Sequence, residues 1–369
     1  MFRLKPTYPI GIDIGTHDIF AVQIAENRQG VEIRELMHRE VQGNDTEMPD
    51  VNDALVPLFR EISRNKRFLG KTVVAHLPFQ HLVSFPVSFQ VGDKEDVEQA
   101  ILRESKDRLP FPVEEAIIDY PSVVSPPNGD GNTYRATIIA IHRDHMNHYL
   151  LMLKQAGLVV QAVDFAVSSL IRVHTHLNNP IQTPIILCTI GYSKSLLSIV
   201  GQENILAHRT IEWGMGTLLD KIMTNLDFIN EKDKAKVLLR QYGLRYEDRE
   251  NGQNGADPQD KRGADPMGRA IYQIITPSIE ELIYELYKII GYVRSDNQNQ
   301  AFDCIYFYGH AAMVKQLDRY IENRLNIPTK LMNPMTNMAL SEEGILPDIS
   351  EGAPFALALG LAMRKVPWL

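Results

Sequence analysis

Short apolar runs, separated by glycine turns and polar stretches, recur along the 369 residues of the chain. The apolar run at residues 10–14 is too short for a helix before the glycine that follows it, so it predicts a buried strand. Residues 19–24 resume the apolar pattern, and residues 31–36 alternate apolar and polar side chains. These three segments predict an antiparallel meander at the start of the chain.

The turn between the first two strands has the composition of a phosphate-binding turn. Asp13 ends the first strand, and Gly15 and Thr16 begin the turn. Exposed backbone N–H groups and a hydroxyl are the groups with which proteins cradle phosphate. A glycine turn between strands is commonly only a turn, so both interpretations stand at this point.

The same pattern occurs a second time, about 176 residues further along. Residues 184–193 are an apolar strand that ends in Gly191 and hydroxyl residues such as Ser193, and strands are predicted again at 196–200 and 205–211. A strand, a glycine turn and two further strands therefore occur twice. This repetition predicts an internal duplication.

A block between the two repeats, residues 82–164, predicts strand, helix, strand, strand, helix and strand. Asp93 is the expected N-cap of its first helix, and the prolines in residues 109–112 end that helix because each disfavours helical backbone before it. We expect this block to form a compact α+β subdomain.

The rest of the chain predicts helices and one further buried strand. Residues 247–269 are rich in Asp, Gly, Asn and Gln and are expected to be a flexible surface insertion. Residues 304–308 predict a buried strand, and residues 355–363 are apolar almost all round, which is typical of a core helix.

Composition and charge argue against several classes of protein. The net charge is −8, which argues against a general nucleic-acid binder. There is no apolar run of 18 residues, so no transmembrane helix is expected, and the first six residues do not resemble a secretory signal. Cys188 and Cys304 lie in apolar runs and are expected to be buried free thiols of a reducing compartment.

Three histidines, His142, His145 and His148, are spaced so that two of them could share a helix face and bind a metal ion. No cysteine or carboxylate is obviously placed with them, so we expect polar surface residues here and no metal site. The sequence contains no nucleophile elbow and no cysteine spacing typical of zinc.

Several motifs together resemble the PilM family of type IV pilus assembly proteins. These are residues 109–116 (LPFPVEEA) followed by Asp119-Tyr120, residues 156–158 (AGL) before 162–164 (AVD), Asn333-Pro334, and residues 355–362 (FALALGLA). They extend over nearly the whole chain.

The resemblance implies an α/β fold of the actin-like, duplicated ribonuclease-H-like type, with an inserted SHS2-type α+β subdomain in the first half. The expected ranges are 1–82, 165–183 and 350–369 for the first half, 83–164 for the inserted subdomain, and 184–349 for the second half with its flexible insertion 247–269.

The function that the resemblance implies is a cytoplasmic scaffold of a pilus or type II secretion-like platform, held at the inner membrane through a partner. The implied partner is the cytoplasmic N-terminal tail of a single-pass, PilN-like membrane protein, bound in a groove beside the inserted subdomain. Phe111 is the candidate groove residue. Pilus motor ATPases, the platform protein and further copies of the chain are additional implied partners.

The resemblance also implies ATP and Mg²⁺ as cofactors, bound between the two halves. The implied nucleotide-binding residues are Asp13, Gly15, Thr16, Thr189, Gly191, Ser193 and Gly309. No catalytic residue is assigned.

Three positions depart from the family pattern around this implied cleft. Phe20 stands where a lysine is usual and cannot meet phosphate charge. Thr189 replaces a usual aspartate and is a poorer Mg²⁺ ligand. His310 and Ala311 stand where a Gly-Gly-Gly-Ala turn, here residues 309–312, usually has glycines that allow close approach of a ligand. Two outcomes stay open: drift with ATP binding retained, or loss of ATP hydrolysis, with ATP binding either kept or lost as well.

Two other functions are alternatives to the scaffold. An ATPase or kinase of the same fold needs a carboxylate base, and Thr189 removes the most obvious one. An FtsA-like membrane filament needs an amphipathic terminal helix, whereas residues 363–369 are short and interrupted by Pro367.

Overall fold

The computed structural model describes residues 8–27, 30–41, 55–77, 79–92, 95–124, 133–178, 180–202, 204–227, 229, 231–244, 266–296, 300–336, 338–340 and 352–364. The chain divides into two units. The first comprises residues 1–184, 198–208 and 334–369, and the second comprises residues 185–197 and 209–333.

The first unit is built on a six-stranded sheet. In chain order its strands are β1 (Ile10–Ile14), β2 (Asp18–Asn27), β3 (Gly30–Glu40), β4 (Thr72–His76), β9 (Val159–Asp164) and β15 (Ala339–Leu340). Their order across the sheet is β15-β3-β2-β1-β4-β9. β1, β2 and β3 pair antiparallel, as the meander predicted, whereas β4 and β9 join in parallel.

The helices of the first unit cover this sheet. They are α1 (Leu55–Arg64), α3 (Arg143–Gln155), α4 (Ala166–Leu177) and α9 (Ala356–Ala362). Every residue of α9 is buried, which confirms the predicted core helix. Gly11 makes this packing possible, because a Cβ at this position would lie 2.0 Å from the carbonyl oxygen of Ala358.

The inserted subdomain has its own sheet, formed by β5 (Val83–Gln90), β6 (Ala116–Asp119), β7 (Val123–Val124) and β8 (Thr133–His142). β8 is central, with β5 on one side and β6 and β7 on the other. Helix α2 (Val97–Ser105) packs on β5. Its N-cap is Asp96, whose side chain accepts from the amide of Gln99 in a capping box. The expected N-cap, Asp93, lies outside the described residues.

The grouping expected for residues 143–164 is wrong. We expected α3 and β9 in the inserted subdomain, but β9 pairs in parallel with β4 of the first sheet. The apolar side of α3, including Tyr149 and Leu153, belongs to the core that surrounds β1. A strand joins the sheet against which its apolar face can be buried, and sequence pattern alone does not say which sheet that is.

A second sheet has five strands in the order β12-β11-β10-β13-β14; residues 198–208 at the facing ends of β11 and β12 group with the first unit, and the rest of the sheet belongs to the second unit. Its strands are β10 (Ile185–Ile190), β11 (Ser195–Val200), β12 (Ile205–Ile211), β13 (Ile305–Gly309) and β14 (Thr329–Leu331). The helices of the second unit are α5 (Met215–Asn225), α6 (Lys232–Gln241), α7 (Pro266–Asp296) and α8 (Leu317–Leu325). β10, β13 and β14 pair in parallel.

The two sheets repeat one plan. The order β3-β2-β1-β4-β9 in the first corresponds to β12-β11-β10-β13-β14 in the second. In both, three consecutive strands are followed by two parallel strands that arrive through helical crossovers. This correspondence confirms the duplication predicted from the repeated glycine turns.

Two remaining expectations concern the insertion and the thiols. Of the predicted flexible insertion at residues 247–269, residues 247–265 lie outside the described part, whereas Pro266–Arg269 form the start of α7. Cys188 and Cys304 are buried and free. Among the described helices, none is long and apolar enough to cross a membrane.

Candidate functional site

The first glycine turn joins β1 to β2 and carries Asp13, Gly15 and Thr16. The amide of Gly15 donates a hydrogen bond to the carbonyl oxygen of Asp18 at 2.8 Å, and the amide of Val41 donates to the carbonyl oxygen of His17 at 2.6 Å. These two bonds tie the turn to both neighbouring strands. The turn is thus a fixed backbone frame.

Asp13 is paired with a buried histidine that the sequence analysis did not single out. His76 is 1% exposed, and its Nε2 lies 2.7 Å from Oδ1 of Asp13. Its Nδ1 lies 2.8 Å from the carbonyl oxygen of Leu77. The amide of Ile14 approaches Nε2 at a longer distance, 3.4 Å. Each ring nitrogen faces an oxygen acceptor, an arrangement that favours a doubly protonated ring.

The pKa of His76 agrees with this assignment. Desolvation by burial lowers the pKa, but the hydrogen bond and the charge of Asp13 outweigh it, so the pKa of His76 is raised above its ordinary value. The raised pKa favours the imidazolium form of His76 beside the Asp13 carboxylate. The Asp13 carboxylate, which the resemblance assigns to the nucleotide, is engaged by its own protein.

Phe20 lies on β2 beside this turn and is buried. Its ring stacks on the imidazole of His38, with centroids 4.7 Å apart, and meets the ring of Phe355 edge-on at 4.9 Å. The position where the family usually has a lysine thus holds a packed aromatic ring. It supplies no positive charge for a phosphate group.

The second glycine turn lies in the second unit, after β10. Thr189 is buried, and the amide of Gly191 donates to the carbonyl oxygen of Lys194 at 3.1 Å. The first amides of α5 are also engaged, since Met215 N–H donates to the carbonyl oxygen of Gly191 and Gly216 N–H to that of Tyr192. Ser193 lies in the same turn. The start of α5 is therefore used to hold the turn.

Gly309 ends β13 directly opposite Ile190 of β10. Its φ is +77°, and a Cβ at this position would lie 2.3 Å from the carbonyl oxygen of Ile190. Both facts require glycine. His310 and the residues after it form a short 3-10 helix, His310–Met313. The second unit therefore brings Thr189, Gly191 and Gly309 together, whereas Asp13, Gly15 and Thr16 belong to the first.

A trough in the first unit is the second candidate site. It consists of two cavities of about 570 and 580 Å³ that share Pro121, Ser168 and Arg172. The first cavity extends to the end of β6 and to the residues after α9, and the second to the turn between β11 and β12. The trough thus crosses α4 beside the inserted subdomain.

A charged cluster forms the floor of the first cavity. Asp164 is buried, and its carboxylate accepts from the guanidinium of Arg172 and, at 2.7 Å, from that of Arg364. Arg172 also donates to the carbonyl oxygen of Gly360. Desolvation by burial lowers the pKa of Arg172, although the charge of Asp164 opposes this shift. The cluster fixes the ends of β9, α4 and α9 relative to one another.

Phe111, the predicted groove residue, does not lie in this trough. Its ring is half-buried and meets the imidazole of His142 edge-on, with centroids 5.2 Å apart, and it does not line either cavity. His142 accepts from the amide of Asp144 as the N-cap of α3 and is bonded to Glu115 at 2.9 Å. The predicted histidine group therefore caps and covers the end of the subdomain.

The residues that sequence reasoning missed come from remote segments. His76 is placed by the parallel pairing of Ile12 with Ala75, which brings the next residue of each strand, Asp13 and His76, together. The sequence did contain one indication of this residue, since His76 is a polar residue at the end of an otherwise apolar run. Arg172 and Arg364 carried no such signal.

The repeated sheet plan with a glycine turn in each half defines an actin-like fold, and solved structures agree. The structure described as the PilM-PilN type IV pilus biogenesis complex is 19% identical, with 97% of this chain and 98% of that chain covered and a TM-score of 0.74. The ethanolamine utilization protein EutJ from Carboxydothermus hydrogenoformans is 14% identical, with 98% and 90% covered and a TM-score of 0.54. MreB5 of Spiroplasma citri bound to AMPPNP is 12% identical, with 95% and 93% covered and a TM-score of 0.51.

A comparison of the sequence with protein-family models identifies the family. The model of the type IV pilus assembly protein PilM matches residues 11–366, and this chain belongs to that family. The resemblance drawn from the motifs is thereby confirmed.

Proposed function

We propose that this protein is a scaffold of a type IV pilus assembly platform that docks the cytoplasmic tail of a PilN-like membrane protein in the trough across α4. The observation that carries the proposal is the trough itself, a preformed channel beside the inserted subdomain with a rigid charged floor. Docking of this kind needs no catalytic residue and holds the protein at the inner membrane through its partner.

The trough suits an extended peptide. β6 is at one end of the order of its sheet, so its outer edge has no strand partner among the described residues. Asp119, its last residue, and Tyr120 line the first cavity. An extended peptide gains affinity by pairing its backbone with such an edge and specificity by placing alternate side chains in pockets.

The second cavity supplies the apolar pockets. Pro121, Ile171, Ile181 and Val200 line it together with small polar residues. The guanidinium groups of Arg172 and Arg364 are held by Asp164, so they can donate to peptide carbonyl oxygens without losing side-chain freedom on binding.

A bulky side chain at Ser168 tests the docking site. Ser168 lines both cavities from the surface of α4, so Ser168→Trp should fill the trough. The probe is a labelled synthetic peptide of the N-terminal tail of the PilN-like protein from the same genome, titrated with the full chain by fluorescence anisotropy. We expect at least about a tenfold loss of affinity, which corresponds to about 1.4 kcal/mol.

The matched control is His176→Trp, since His176 is exposed on the same helix and does not line either cavity. It should bind the peptide as the unchanged protein does. Equal affinity of Ser168→Trp and the unchanged protein would contradict the docking site. Loss of binding in both variants would contradict it as well, because the effect would not be specific to the trough.

We further propose that the nucleotide site is degenerate. A magnesium nucleotide needs carboxylate ligands for the ion and positive charge for the phosphates. In the first unit Asp13 is already paired with His76, and Phe20 is packed between His38 and Phe355. Asp18 and Glu40 add two negative charges at the base of the same turn. These residues fit a triphosphate poorly.

Calorimetry with MgATP tests this proposal. We expect no binding in the low-micromolar range, and such binding by the unchanged protein would overturn the claim. A double variant, Phe20→Lys with Thr189→Asp, should raise the affinity if only these two groups are missing. Steady phosphate release by the purified protein above background would favour an ATPase or kinase, and co-sedimentation with liposomes without a partner would favour a membrane filament.

A further inference from the structure

The hairpin of β2 and β3 carries a group of side chains of the types that bind metal ions. The nucleotide proposal uses Asp18 and Glu40 of this group only for their negative charge. Asp18 is directly opposite Glu40 in the antiparallel ladder, and Phe20 is directly opposite His38. Opposite residues share a face of the sheet, as do residues two apart along a strand. Asp18, His38 and Glu40 therefore lie on one face by strand register alone.

His17 completes this group from the turn. Its carbonyl oxygen accepts from the amide of Val41, which fixes its backbone beside the end of β3. One ligand atom each from His17, Asp18 and Glu40 lies within 4.8 Å of the other two. No other group of three histidine, cysteine or carboxylate side chains among the described residues brings its ligand atoms within 4.8 Å of one another.

Asp18 is the centre of the group. Its side chain is 8% exposed; Oδ2 lies 3.3 Å from Nδ1 of His17, and Oδ1 lies 2.6 Å from Nε2 of His38. Phe20 stacks on the ring of His38 and holds its orientation. Two imidazole nitrogens and two carboxylates thus converge on one end of the hairpin.

We propose that His17, Asp18 and Glu40 bind a divalent transition-metal ion of the zinc type, with His38, hydrogen-bonded to Asp18, as the outer partner that holds this ligand. Donor atoms at about 2.0–2.2 Å from a tetrahedral zinc ion lie roughly 3.4 Å from one another. Nδ1 of His17 and Oδ2 of Asp18 are 3.3 Å apart, close to this value, and Glu40 is exposed with one ligand atom within 4.8 Å of those of His17 and Asp18. Like charges directly opposite each other in a ladder are destabilising, and a cation between Asp18 and Glu40 removes that repulsion.

The donor set selects the kind of ion. Imidazole nitrogen suits zinc, copper and nickel, whereas Mg²⁺ and Ca²⁺ prefer oxygen ligands and waters. The bound ion links the start of β2, the end of β3 and the glycine turn. Phe20 therefore has a positive role here, as the residue that positions the outer partner His38, beside the loss of the family lysine.

The experiment uses the untagged full chain and Zn²⁺ alone, with Co²⁺ as a spectroscopic substitute. We expect one equivalent of Zn²⁺ by calorimetry, visible absorption of bound Co²⁺ that Zn²⁺ displaces, and no displacement by millimolar Mg²⁺. Changing an outer partner of a metal ligand typically costs about 10- to 100-fold in affinity, so His38→Gln should weaken Zn²⁺ binding by at least about tenfold. His17→Gln removes a ligand and should weaken Zn²⁺ binding by at least as much.

His145→Gln is the control, because His145 stacks on His81 in a separate histidine group of the first unit. It should leave Zn²⁺ affinity and stoichiometry unchanged. The proposal is overturned if Zn²⁺ does not saturate one site, if both His17→Gln and His38→Gln bind as the unchanged protein does, or if the loss occurs in His145→Gln instead. Circular dichroism of each apo variant confirms that the fold is intact, and a Zn²⁺-dependent rise in melting temperature, absent from His38→Gln, gives a second readout.

Discussion

The pair formed by His76 and Asp13 makes a sharp energetic prediction. His76→Leu removes the buried cation and leaves the Asp13 carboxylate, whose side chain is only 14% exposed, without its partner. Removing one member of a buried ion pair typically costs 3–5 kcal/mol. Because Asp13 keeps some access to water, we expect the lower end, a loss of about 3 kcal/mol in the free energy of unfolding.

The pH dependence gives the same pair a second test. The pKa of His76 is raised in the folded protein, so the pair stabilises the fold fully below the ordinary histidine pKa of about 6.5. This stabilisation is lost as the pH rises through the folded pKa. Asp13→Asn removes the main cause of the raised pKa, so the stability gap between this variant and the unchanged protein should shrink with rising pH.

The assay is urea unfolding of the full chain and both variants at several pH values from about 6 to 9. NMR of the imidazole signals of His76 measures its pKa directly. The reasoning is refuted if His76→Leu is as stable as the unchanged protein. It is also refuted if the gap to Asp13→Asn does not change with pH, because His76 would then not be the titrating group.

Two further predictions concern other close contacts. Burial lowers the pKa of His208, beside Ser84, to about 4. The free energy of unfolding should therefore fall by at most about 3 kcal/mol as the pH drops from about 6.5 to 4. Urea unfolding of His208→Gln should not show this fall. Gly11→Ala places a Cβ against the backbone of α9 and should lower the unfolding free energy by about 3 kcal/mol or more in the same assay.

Each of these has its own control. Gly291→Ala, in α7, meets no atom within 4 Å and should be neutral or stabilising by up to about 1 kcal/mol. If it lost as much stability as Gly11→Ala, the close approach of α9 would not be the cause. An unchanged pH profile in His208→Gln would show that another group titrates in this range.

The repeated sheet plan was predictable because its signals are local. Strand length, apolar runs and glycine turns at residues 10–16 and 185–191 are properties of neighbouring residues, and both meanders formed as predicted. Helix α9 was predictable for the same reason, since its residues are apolar on every side.

The sheet to which β9 belongs was not predictable, because pairing with β4 is a contact between distant segments. The same holds for His76, which meets Asp13 only through the parallel register of β1 and β4. The trough depends on the ends of β6, α4 and α9 and on the turn after β11, which come together only in the folded chain. Phe111 was predicted to line the partner groove because it lies in the family motif at residues 109–116. Membership of that motif does not determine which surface the side chain lines, and Phe111 does not line the trough.

Hydrogen exchange measured by mass spectrometry on the full chain, with and without a saturating amount of the PilN-like tail peptide, tests the docking function most directly. The account predicts slower exchange at residues 116–122, 200–202 and 204–205, which lie along the trough, and in α4 between them. Unchanged exchange in these segments, with the peptide bound and slower exchange elsewhere, would contradict the proposed docking site.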